Sequence, residues 1–215
     1  MEHFFPNRSV VLTGNPVRSE IAINAISKYQ GNEFFGLAHQ YKTVLVVGGS
    51  LGANSINKTI ANSLSELMQQ PVQLIWQTGT AFYEQAKKEA SSFTDRVVVH
   101  DFIKEMNYAY AAADIIISRA GALAISELSI VAKPVIFVPY PFAAEDHQKA
   151  NALSLVNRHA ASMVLDKDIA TDLLPKLASL LQDEAICNQY AHQLNKIAIT
   201  NADELIANHI IAIAS

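Results

Sequence analysis

The stretch Thr43 to Ala53 (TVLVVGGSLGA) constrains the fold of this 215-residue chain more than any other. Val44, Leu45, Val46 and Val47 are β-favouring, with no polar residue between them. That is the pattern of a strand buried on both faces. Gly48, Gly49 and Gly52 follow; lacking a Cβ, they let the chain turn tightly and bring N–H groups close to a ligand. Asn54 to Met68 then reads as a helix with Ile56, Ile60, Leu64 and Leu67 on one stripe. Strand, glycine turn and helix N-terminus in succession suit an anion, because free N–H groups and the positive end of the helix dipole face it.

The rest of the chain repeats this alternation. Further strands are expected at Val10–Leu12, Val72–Trp76, Val97–Val99, Asp114–Ser118, Pro134–Val138 and Ser162–Leu165. Helices are expected at Ser19–Tyr29, Ala81–Ala90, Glu105–Ala113, Ala122–Ala132 and Glu145–Arg158, with Gly31–Tyr41 as a polar connection. Beyond Asp166 the pattern is helical: one helix to Leu181 capped by Asp168, a second from Glu184 to Lys196, and a terminal one over Ala202–Ala214. Short strands alternating with helices imply an α/β fold, a Rossmann-like doubly wound parallel sheet of about six strands with a helical C-terminal tail. The expected division is a nucleotide-binding unit over 1–165 and C-terminal helices packing on it over 166–215. Right-handed crossovers put the ligand crevice at the carboxyl ends of the strands, where the turns after Leu12, Val47, Trp76, Val99, Ser118 and Val138 are all expected to fall.

Composition narrows the partners. A net charge of −4 gives no basic field for nucleic acid, so no nucleic-acid partner is expected. The single cysteine, Cys187, rules out an internal disulfide framework and fits a reducing, cytoplasmic setting. Met1 to Asn7 lacks the basic-then-apolar order of a signal peptide. The most apolar long region, Ile115–Ala144, is interrupted by Arg119, Glu127, Lys133 and three prolines, so no transmembrane helix is expected.

The glycine loop is not a P-loop, since no Gly-Lys-Ser/Thr follows it. It also departs from the dinucleotide fingerprint in spacing, and Gln77 and Thr78 stand where that fold places a carboxylate. A second anion-ready element is Arg119 to Glu127 (RAGALAISE): Gly121 permits close approach, and the helix that starts there offers free N–H groups. Glu127, about two turns in, reads either as an acceptor for a ribose diol or as a solvent-facing helix residue. Two such helix ends on one edge point to a nucleotide diphosphate. Arg18, just after the turn Thr13-Gly14-Asn15-Pro16, is placed either to reach that anion or simply on a surface loop. Asp166-Lys167-Asp168 matches the D-x-D pattern of metal-dependent sugar transferases, but it opens a helix and reads as a cap. The seven histidines show no ligand spacing, so neither a metal nor another cofactor is expected. The polar cluster around His147 and Gln148 reads either as a sugar-hydroxyl site or as a solvated helix start.

Taken together, TGNPVR, GGSLGAN, DFI, RAGALAISE with PVIFVPYP, and DHQ-x-x-NA resemble the carboxyl-terminal half of the MurG family, over about residues 1–165. Those enzymes are UDP-N-acetylglucosamine (UDP-GlcNAc) transferases that convert lipid I to lipid II in peptidoglycan synthesis. The resemblance implies one half of a GT-B glycosyltransferase whose ligand is UDP-GlcNAc or UDP. It implies that Arg18 and Ser50 contact the diphosphate region, with Gly48, Gly49, Gly52 and Gly121 letting the backbone approach the phosphates. Ile103 would lie against uracil and offer it backbone hydrogen bonds. Ala122, Leu123, Ala124, Ile125 and Ser126 would bring a helix N-terminus to the phosphates, Glu127 would take the ribose hydroxyls, and Gln148 with His147 would meet the sugar.

The family's amino-terminal domain, with the acceptor site for lipid I, the membrane-binding face and the general base, is expected to be absent here. The chain is therefore expected to bind donor without transferring it, whereas the full-length relatives sit peripherally on the cytoplasmic face of the cell membrane. The resemblance implies that the final helix crosses back to that other domain in the family; exposed here, the apolar face of Ala202–Ala214 would pack locally or pair two chains. A non-catalytic nucleotide-sugar module is the alternative.

Overall fold

The computed structural model describes residues 10–23 and 25–214. In chain order the elements are α1 (Ser19–Ile23), α2 (Lys28–Phe34), β1 (Lys42–Val47), α3 (Asn54–Leu67), β2 (Val72–Gln77), α4 (Tyr83–Glu89), β3 (Val97–His100) and α5 (Met106–Ala112). They continue with β4 (Ile115–Ser118), α6 (Ala122–Val131), β5 (Val135–Phe137), α7 (His147–Val156), β6 (Ser162–Met163), α8 (Ile169–Gln182), α9 (Glu184–Ile197) and α10 (Ala202–Ala214).

The six strands form one all-parallel sheet in the order β3-β2-β1-β4-β5-β6. This is the doubly wound arrangement, with its change of direction between β1 and β4. Side chains alternate across the sheet as the pleat requires. Val44 and Val46 join Trp76, Ile115 and Ile117 in a core shared with α3 and α8. Leu45, Ile75, Ile116 and Phe137 point the other way, into a core shared with α5, α6 and Leu194 of α9. The long apolar runs are thus explained: both faces of β1, β2 and β4 are covered. The C-terminal helices supply part of both cores, through Leu173, Leu177 and Leu180 on one face and Leu194 on the other.

Four expectations are corrected. Val10–Leu12 forms no strand; it pairs with neither edge of the sheet, β3 or β6, and Val11 and Leu12 lie exposed on the surface. Ser19–Tyr29 is not one helix but α1 and the start of α2, separated by residues 25–27. The break is written locally: the Ser27 hydroxyl accepts the Gln30 N–H while the Gln30 side chain takes the Ser27 N–H, a capping box. Gly31, expected in a polar connection, lies inside α2, where a Cβ would meet the Ala112 nitrogen of α5 at 2.5 Å. The fourth concerns Asp168: it occupies the N-cap position of α8 without any side-chain capping bond.

Glu184–Ala214 is apolar enough to suggest a membrane span by length and composition. It is folded as two helices, α9 and α10, of 14 and 13 residues, each shorter than the roughly 20 residues a span requires. α10 carries Ile210 and Ile213 on its exposed side.

At the edge opposite the carboxyl ends, the Lys133 ammonium donates to the carbonyls of Ala111, at 2.6 Å, and Ala113. Burial pulls its pKa down to about 8, opposed by Asp114 and reinforced by Lys28. An unfolded lysine keeps its proton to about pH 10.4. Between those values the unfolded chain binds more protons than the folded one, so this residue makes stability rise with pH across that window. Urea unfolding at pH 7.5 and 9.5 should show wild type gaining on Lys133→Met by about 2 kcal/mol. Parallel pH profiles for the two proteins would contradict the buried ammonium.

Candidate functional site

The carboxyl ends of the central strands open into a cleft of about 940 Å³. It lies over the change of strand direction between β1 and β4, where doubly wound folds hold their ligands. A smaller groove of about 440 Å³ at the opposite edge, between Leu67, Pro71 and α8, is mostly aliphatic and gathers no comparable set of polar groups.

The glycine loop forms one wall. Gly49 and Gly52 have φ of +84° and +77°, in the left-handed region that side chains disfavour. Gly52 is also pressed against the β2 loop: a Cβ there would stand 1.9 Å from the Thr78 carbonyl oxygen. That carbonyl is held in turn by Asn57 Nδ2 at 2.7 Å, and Asn57 Oδ1 accepts from the Trp76 indole at 3.0 Å. Buried α3 and β2 side chains thus fix the loop from behind. Ser50 and Leu51 project at the rim, Leu51 almost wholly exposed.

The second wall is the start of α6. Gly121 is its N-cap and makes no side-chain capping bond, and a Cβ there would meet nothing within 4 Å. Leu123 and Ala124 line the cleft. Ala122, Ile125 and Ser126 are not among the lining residues; Ser126 bonds Asn15 Nδ2 at 3.0 Å, and Ile125 packs toward the core. Glu127 is not solvent-facing. It is 8% exposed, lines the cleft and accepts the Tyr110 hydroxyl at 2.8 Å. Burial, then the neighbouring Glu127 charge, push the Tyr110 pKa well above its ordinary value, so its proton stays on and is donated to Glu127. Arg18 reaches Glu127 with Nη2 at 3.6 Å and donates to the Lys104 carbonyl at 3.3 Å. It therefore sits at the Glu127 end of the cleft rather than beside the glycine loop.

The remaining expected residues divide. Ile103 lines the cleft, but its N–H is donated to Gln77 Oε1 at 3.1 Å. Gln148 lines it too, with Oε1 accepting the N–H groups of Ala120 and Tyr140. His147 is exposed, bonded through Nδ1 to the Ala144 carbonyl, and is not part of the lining. Sequence reasoning passed over Tyr110, Gln77 and the pair Arg119–Asp166. Arg119 Nη1 meets Asp166 Oδ1 at 2.5 Å and the carbonyls of Val138 and Pro139, while Nη2 donates to Ser55. Asp166 is therefore an ion-pair partner, not a helix cap. Arg119 clamps the ends of β4 and β5 to α3 with its charge already matched. Among the described residues there is no cluster of His, Cys, Asp and Glu able to hold a metal.

A parallel sheet with a glycine loop, an open helix N-terminus and a buried carboxylate around one cleft defines the class, a Rossmann-like nucleotide-binding fold, and its likeness to a solved transferase makes it one half of a GT-B glycosyltransferase. Residues 43–210 match the glycosyltransferase family 28 C-terminal domain, and the chain belongs to that family. It is 44% identical over 214 residues to the UDP-N-acetylglucosamine--N-acetylmuramyl-(pentapeptide) pyrophosphoryl-undecaprenol N-acetylglucosamine transferase of Parabacteroides distasonis, covering 99% of this chain and 58% of that protein. The transferase of the same name from Cytophaga hutchinsonii is 44% identical over 213 residues, covering 99% and 57%. The crystal structure of Acinetobacter baumannii MurG superposes with a TM-score of 0.76 at 29% identity, covering 96% of this chain and 58% of that one. The resemblance to the carboxyl-terminal half of MurG is borne out, and the chain spans less than two thirds of the length of these relatives.

Proposed function

We propose that this chain is the donor-binding part of an inverting glycosyltransferase that takes UDP-GlcNAc and delivers the sugar to the 4-hydroxyl of lipid-linked MurNAc-pentapeptide, lipid I, giving lipid II. The observation that carries the reading is Glu127, a buried carboxylate held by Tyr110 in the same cleft as two anion-ready backbone elements. In this reading Glu127 accepts the ribose hydroxyls, and uracil lies against Ile103. The diphosphate rests between the glycine loop and the first turn of α6. Gln148, its Oε1 fixed by two backbone N–H groups, turns Nε2 to the sugar.

The reaction breaks the bond from the anomeric carbon to the diphosphate oxygen as the acceptor oxygen attacks from the opposite face. Negative charge grows on the departing UDP. Preoriented N–H groups and the α6 dipole stabilise that charge more in the transition state than in the bound donor. Acceptor binding, the general base and peripheral attachment to the cytoplasmic membrane face belong to the remaining length of the relatives.

Calorimetric titration tests the reading. UDP-GlcNAc and UDP should bind saturably and compete with each other, UDP-GalNAc should bind more weakly than UDP-GlcNAc, and NAD should give no saturable heat. Saturable NAD binding, or no UDP binding by the folded chain, would overturn it.

A further inference from the structure

Gln77 closes β2, the strand between the two that lead into the glycine loop and into the Asp101–Ile103 turn. Gln77 is 3% exposed, and both ends of its side-chain amide are engaged. Nε2 donates to the Gly49 carbonyl at 3.1 Å, and Oε1 accepts the Ile103 N–H at 3.1 Å. A side-chain amide can donate and accept at once in this way at neutral pH.

The consequence lies in the far ends of the two peptide planes. The described peptide bonds are trans, and in a trans peptide the C=O and N–H point in opposite directions. The Gly49 carbonyl is held toward β2 by Gln77 and by the Gly52 N–H at 2.9 Å, so the Ser50 N–H of the same plane is turned away from β2. The Ile103 N–H is likewise held inward, so the Phe102 carbonyl of that plane is turned outward. Ser50 and Phe102 both line the cleft.

We propose that Gln77 is a positioning residue that sets the hydrogen-bond polarity of both halves of the site: it aims a donor, the Ser50 N–H, at the diphosphate and an acceptor, the Phe102 carbonyl, at the nucleobase. This rests on the reading of the cleft as a uridine diphosphate sugar site. A carbonyl acceptor suits a base edge that carries an N–H, as uracil does at N3. Cytosine presents a lone pair at that atom and is disfavoured. One buried amide at the floor of the cleft thereby links phosphate binding to the choice of base.

The test is calorimetric binding of UDP, CDP and uridine to the chain and to Gln77→Glu and Gln77→Met, with thermal melting alongside. Gln77→Glu keeps an acceptor for Ile103 but has no donor for Gly49. It should weaken UDP about tenfold, the size of one lost hydrogen bond, leave uridine within about twofold and keep the UDP-over-CDP preference. Gln77→Met loses both bonds; it should weaken UDP at least as much and bring the UDP:CDP ratio toward one. Wild-type UDP:CDP and UDP:uridine ratios in both folded variants would overturn the proposal. If Gln77→Met fails to fold, the neutral Gln77→Asn decides, because its shorter amide cannot span both loops and adds no charge: a wild-type UDP:CDP ratio in that folded variant would overturn the proposal. Wild-type UDP binding that is weakened by Glu127→Gln but indifferent to Gln77 would sink this inference alone. Absence of wild-type UDP binding would remove the underlying reading with it.

Discussion

Gly52→Ala should lower the melting temperature by about 10 °C, whereas Gly49→Ala, three residues away in the same loop, should cost only a few degrees. Both glycines have positive φ, so each substitution carries the dihedral cost of about 1–2 kcal/mol. Only Gly52 faces a second cost. Its new Cβ would fall 1.9 Å from the Thr78 carbonyl oxygen, while at Gly49 nothing lies within 4 Å. Thr78 has little room to retreat: its carbonyl is held by Asn57, its N–H by the His100 carbonyl, and its hydroxyl by Gly79 and His100. Forcing a methyl into so fixed a contact costs about 1–3 kcal/mol more. The sum, roughly 2–5 kcal/mol, is a large part of a domain's stability and corresponds to some 5–15 °C at this size. A Gly52→Ala protein that melts within two degrees of wild type would show that the two loops are not interlocked as described. Gly49→Ala has a separate use: it should leave the fold intact while placing a methyl group on the ligand side of the loop.

What the sequence disclosed, and what it did not, follows from how far apart the cooperating residues lie. β1, β2 and β4 were legible because burial on both faces writes itself as unbroken apolar runs such as Val44–Val47. The glycine loop and Gly121 were legible because a backbone that must approach an anion has few residue choices. Val10–Leu12 misled because a β-favouring triplet does not say whether the chain runs alongside a sheet edge. Gly31 misled in the opposite sense: read as loop material, it is the point where α2 presses on α5. The capping box at Ser27 and Gln30 was present in the sequence and places the start of α2. No such signal existed for Arg119–Asp166, because an ion pair between residues far apart in the chain leaves no local pattern. Gln77 was noticed only as a missing carboxylate. Its two hydrogen bonds exist because β2 lies between β1 and β3, which strand order determines and residue order does not. Glu127 had been left open between two readings, and burial decides against the solvent-facing one.

Replacing Glu127 should therefore abolish the preference for a ribose over a deoxyribose as well as weaken binding. In the wild type one carboxylate oxygen, Oε2, accepts the Tyr110 hydroxyl, and Oε1 lies 3.6 Å from Arg18. A ribose diol that reaches this carboxylate gains hydrogen bonds to a charged acceptor, worth about 1.5–3 kcal/mol each. UDP should thus bind at least tenfold more tightly than 2′-deoxy-UDP. Glu127→Ala should weaken UDP by about 10- to 100-fold and bring the two ligands within about twofold of each other. It also strands the buried Tyr110 hydroxyl, at a cost of about 1–3 kcal/mol in stability, so a lower melting temperature is expected with it. Glu127→Gln separates the effects. It can still accept from Tyr110 and should melt close to wild type, yet it has lost the charge and one acceptor, so both UDP affinity and the ribose preference should fall. If Glu127→Gln binds UDP as tightly as wild type and still rejects 2′-deoxy-UDP, the ribose lies elsewhere in the cleft. The buried carboxylate would then serve mainly to hold Arg18 and Tyr110 in place.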